Sequence, residues 1–81
     1  MTHKQRLYKA LKSELEAKVN EALLTLDLCF NNPTAIGEHT SEHFVKEASK
    51  ALDKLTEARD KIDVLSTYME GETGNKKLLN D

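Results

Sequence analysis

The sequence predicts an all-α protein: an antiparallel hairpin of two long helices, over residues 3–30 and 41–69. Three observations carry this. Neither stretch contains a glycine or a proline. Both repeat apolar residues at spacings of three and four, the mark of one amphipathic face. The single proline, Pro33, and one of three glycines, Gly37, fall between them.

The first helix takes its inward stripe from Tyr8, Leu11, Leu15, Val19, Ala22, Leu26 and Phe30. Leucine, alanine, lysine and glutamate dominate this stretch, and all four favour helix. Its second half adds Leu23, Leu24, Leu28 and Cys29, so apolar residues there cover most of the circumference. A helix apolar nearly all round is buried on more than one side, which one neighbouring helix cannot achieve.

Asn31-Asn32-Pro33 ends that helix, because proline cannot donate to the hydrogen-bond ladder and restricts the residue before it. Ile36 reads as an apolar plug over the turn, and Thr40 or Ser41 as the cap of the next helix, with Glu42 suited to its dipole. The second helix presents Phe44, Ala48, Ala51, Leu55, Ala58, Ile62, Leu65 and Met69, a regular alternation of four and three, the coiled-coil spacing. Glu42–Lys46, Glu47–Lys50 and Glu57–Lys61 decorate its outside at helix-pair spacing. The domain reading is therefore a hairpin over 1–69 and a flexible tail over 70–81, where two glycines interrupt the pattern.

Matching the two seams across the turn sets Phe30 near Phe44, Leu15 near Ala58 and Leu11 near Ile62. Tyr8 and Tyr68 then close the open end. Leu23, Leu24, Leu28, Val45 and Leu52 stay uncovered, all in the turn-proximal half. An apolar patch of that kind marks an interface. The expectation is a homodimer, two hairpins forming a four-helix bundle, with capture of a different protein by the same face as the alternative.

Length supports the need for a partner. A chain of 81 residues has room for one domain. Chains of this size bury only about 60% of the surface their unfolded form exposes. Small domains usually add disulfides, a metal or another subunit. Cys29 is the only cysteine, which excludes an internal disulfide and fits a reducing, cytoplasmic setting. It reads as a core residue, since a helix C-terminus disfavours thiolate.

Charge narrows the function classes. Twelve basic residues face fourteen acidic ones, so the clear basic excess of a nucleic-acid binder is missing. The basic stretch Lys4, Arg6, Lys9, Lys12 lies, in the hairpin, near Asp60, Asp63, Glu70 and Glu72, and local pairing explains it. No apolar run approaches the ~20 residues that span a bilayer, and the N-terminal stretch does not read as a secretory signal. No membrane or nucleic-acid partner is expected.

His39 and His43 stand four apart with Glu38 and Glu42 beside them, a spacing that can hold a transition metal on a continuous helix. No third ligand stands at a fixed spacing, so a polar helix entry is the better account and no cofactor is expected. Nucleophile–base–acid sets, glycine-rich phosphate loops and zinc-type cysteine pairs are absent from the sequence, and the chain reads as a non-enzyme.

The turn Pro33-Thr-Ala-Ile-Gly-Glu-His39, followed by a charged helix ending Lys61-Ile-Asp-Val-Leu65, resembles small uncharacterised two-helix proteins of tailed phages. The likeness spans residues 31–65. It implies a helical hairpin acting in the host cytoplasm or as a minor virion component, and it transfers no functional residue.

Overall fold

The computed structural model describes residues 1–31 and 41–72. It holds two helices, α1 over His3–Asn31 and α2 over Ser41–Glu72, packed against each other as an all-α hairpin. The second helix outlasts its expected end at Met69: α2 runs on through Glu70 and Gly71 to Glu72. Glycine weakens a helix by roughly 1 kcal/mol relative to alanine without forbidding it. Nothing lies within 4 Å of the position a Gly71 Cβ would take. The connection, with Pro33, Ile36, Gly37, His39 and Thr40, and the remainder of the tail lie outside the described residues.

A two-sided cap starts α1. The Gln5 backbone N–H donates to Thr2 Oγ1 at 3.1 Å, and the Thr2 N–H donates to Gln5 Oε1 at 3.0 Å. This reciprocal capping box satisfies donors that a helix start otherwise leaves open. Its signature, threonine followed three residues later by glutamine, stands in the sequence. Within the helices, Thr25 Oγ1 donates to the Glu21 carbonyl and Thr67 Oγ1 to the Asp63 carbonyl, so both hydroxyls are satisfied on their own helix.

The helices run antiparallel. Leu15 lines a groove with Ala58, Ala22 lines one with Ala51, and Phe30 lines one with Phe44: as α1 advances, α2 recedes. Lys54 Nζ reaches across to Glu21 Oε1 at 3.3 Å and fixes the same register. Along α2, Lys50–Glu47 at 3.6 Å and Lys61–Glu57 at 3.2 Å form as the spacing predicts. Such exposed pairs each contribute about 0.5 kcal/mol or less.

Burial identifies the seam residue by residue. On α2 every predicted seam position, from Phe44 to Met69, is buried or half-buried. On α1 the seam is Tyr8, Lys12, Leu15, Val19, Ala22, Leu26 and Cys29, a regular alternation of four and three. Two expectations are corrected. Leu11 is 40% exposed and Phe30 is 72% exposed; Lys12 and Cys29 hold the seam positions in their place. The reason is geometric. Each residue turns the helix by about 100°, so two successive steps of four carry a side chain about 80° off its starting line. The route from Ala22 through Leu26 to Phe30 takes two such steps, whereas Cys29 stands one full heptad from Ala22. Lys12 occupies its seam position by laying its stem along the helix, with its ammonium 5.8 Å from the Tyr8 ring centroid, within cation–π range.

The resulting core is thin. Among the described residues only Leu15, Ala22, Ala51 and Ala58 are buried, and three of the four are alanines. Small side chains let the backbones approach closely but remove little apolar area from water.

Candidate interaction surface

The five residues expected to remain uncovered are all exposed: Leu23, Leu24, Leu28, Val45 and Leu52. They do not share one face. Counted at about 100° per residue from the buried Ala22 and Ala58, Leu23, Val45 and Leu52 fall on one side of the hairpin plane. Leu28 falls on the other side, and Leu24 points almost directly away from α2. The turn-proximal end is thus apolar around most of α1, as the sequence implies, and on one flank of α2.

The flank bearing Val45 and Leu52 forms a groove of about 350 Å³, lined by Cys29, Phe30, Phe44, Val45, Ala48, Ser49 and Leu52. Its shape follows from the seam. Alanine at position 48 leaves a trough beside the seam, and Ser49 lines its outer rim. Phe30, displaced from the seam, stands at its edge with most of its ring in solvent. Cys29 lies half-buried at the groove floor as a free thiol.

The sequence did not disclose a second apolar surface, at the opposite end and on the opposite flank. Leu11, Leu15, Val64, Leu65 and Tyr68 line it, with Glu14, Lys18, Asp60 and Lys61 around them. Leu7 stands on the same flank and is likewise exposed. Tyr68 therefore does not close the open end of the hairpin; it is half in solvent, whereas Tyr8 is half-buried beside Lys12. Leu11 could be recognised as part of this surface only once Lys12 was known to hold the seam.

Of the histidine pair, His39 lies outside the described residues. His43 sits in the first turn of α2, half-buried, its ring edge-on to Phe44 at a centroid distance of 6.2 Å. Among the described residues no three His, Cys, Asp or Glu side chains gather as a metal site would require. No helix among them is long and apolar enough to cross a membrane.

No family model, curated protein or solved structure matches the chain. The geometry alone therefore carries the functional reading.

Proposed function

We propose that the protein is a non-enzymatic helical interaction protein that self-associates through its turn-proximal apolar surface, building a four-helix bundle from two hairpins. One observation carries the reading: among the described residues the hairpin buries one leucine and three alanines, yet on the groove flank alone it leaves Leu23, Phe30, Val45 and Leu52 exposed to water. A hydrophobic contribution of roughly 1.5–3 kcal/mol accompanies full burial of each large aliphatic side chain, so covering this surface offers more than the internal core does. The groove floor is shallow and apolar, which suits a helix face of a second copy laid along it. On the resemblance of the turn region, the setting is the cytoplasm of a phage-infected bacterium or a virion.

The test is the double substitution Val45→Glu with Leu52→Glu. Both side chains are exposed in the hairpin, so the charges are tolerated by a single copy and repelled at the bundle centre. The expected result is loss of one association step in light scattering together with a fall in helicity. An unchanged mass overturns the reading. A second reading, capture of a different protein by the same surface, is favoured by the exposed Phe30 ring, a side chain of the kind that anchors heterologous interfaces. It predicts a monomeric free chain whose pull-down partner the double substitution releases.

A further inference from the structure

We infer that the second apolar surface is a separate self-association site, in which the open ends of two hairpins overlap antiparallel about a two-fold axis at the level of Lys9 and Val64. The inference deepens the proposed self-association by adding a site that the turn-proximal surface does not require.

The occupant is read from the pattern on α1. Lys4, Leu7, Leu11 and Glu14 form one stripe on this flank, all exposed, at spacings of three, four and three. That spacing is the same read in either direction, and Lys9 stands midway between both Leu7 and Leu11 and Lys4 and Glu14. A copy turned end for end about that midpoint places Leu7 against Leu11 of the other copy, and Lys4 against its Glu14. The two apolar residues meet in the centre and opposite charges meet at the rim, where like charges would otherwise repel.

The α2 side repeats the relation. In the hairpin register given by Leu15 beside Ala58 and Ala22 beside Ala51, the level of Lys9 on α1 is the level of Val64 on α2. Val64 is 60% exposed. Asp60 and Tyr68 stand four residues to either side of it. The same two-fold therefore sets Val64 against its own copy and Tyr68 against Asp60 of the other copy, a phenol opposite a carboxylate that can accept its hydrogen bond. Both helices give one centre, and both place complementary groups about it. An isologous contact requires such self-complementarity, which neither a uniformly basic nor a uniformly acidic partner would explain.

The turn-end groove and this surface lie on opposite flanks and at opposite ends, so one copy can use both at once. The chain is then bivalent, and dimers formed at the turn ends can join through their open ends into tetramers or longer assemblies.

The experiment is site-specific crosslinking. In full-length protein carrying Cys29→Ser, Val64→Cys is compared with Ser13→Cys under mild oxidation. Ser13 is exposed on the side of α1 turned away from α2. The expected result is a disulfide-linked dimer of the Val64→Cys protein forming about tenfold or more faster than with Ser13→Cys, as a raised local thiol concentration requires. Lys4→Glu slows it, and adding Glu14→Lys restores it. Equal rates at the two positions, or rates indifferent to both charge changes, overturn the inference. Val45→Glu with Leu52→Glu, added to Val64→Cys, separates the two sites. Continued crosslinking with a halved mass supports both. Continued crosslinking with unchanged mass keeps this site and removes the turn-proximal one. Lost mass without crosslinking does the reverse.

Discussion

α1 and α2 pack the same kind of seam, but they fill it differently. α2 fills every heptad position from Phe44 to Met69 with an apolar residue, and each of these is drawn out of full exposure. α1 places a lysine and a cysteine at two heptad positions and sets a leucine and a phenylalanine one residue away from them. In water that one-residue shift is about 100° of rotation, enough to take a side chain from the seam to a flank. Leu11 and Phe30 are the two residues displaced, and each stands in one of the two exposed apolar surfaces. The contrast teaches that the seam obeys periodicity before local hydrophobicity, and that the residues losing the seam become the surface chemistry of the molecule.

The largest way to break this comparison is Leu15→Ala. Leu15 is the one large buried side chain among the described residues. Its truncation costs about 2–5 kcal/mol. With so thin a core, helicity followed by circular dichroism at 25 °C should fall outright and not only the melting temperature. Retained helicity with a small melting shift would mean that the seam is not where stability resides.

Lys12→Leu sharpens the comparison in the opposite direction. It restores the heptad on α1 and turns a half-buried lysine stem into apolar packing, for a gain of about 1 kcal/mol, a fraction of full leucine burial. A higher denaturation midpoint with an unchanged denaturant slope is the expected outcome. Thr2→Ala removes the hydroxyl of the capping box and should cost about 1 kcal/mol, read as faster amide exchange in the first turn of α1. Gly71→Ala is the smallest change. The space is open and the position is helical, so it should stabilise the end of α2 by about 0.5 kcal/mol, visible as slower exchange there and not elsewhere.

The fold and its register were legible in the sequence because a four–three repeat free of glycine and proline admits few other structures. The α2 seam was legible to the residue, whereas the helix's last turn to Glu72 and the flank position of Tyr68 were not. On α1, Leu11 and Phe30 read as seam residues only when hydrophobicity is weighed above spacing at those two positions. The strict count from Ala22 to Cys29 and from Lys12 to Leu15 is the signal that places the seam. The exposed residues of the turn-proximal end were legible as a surplus of leucines, but not their division between two flanks, which depends on where the seam runs. The open-end surface was not legible, since α1 and α2 contribute to it together and Leu11 joins it only after leaving the seam. The cap at Thr2 and Gln5 was in plain sight as a local motif.

The most direct test of the central claim, that a lone hairpin is not the finished structure, is absolute mass in solution by light scattering behind a sizing column over a concentration series. The expected mass is at least twice the 9.1 kDa of one chain at the lowest concentration, climbing toward four copies as open ends engage. A fully helical species holding steady at 9.1 kDa throughout would contradict it.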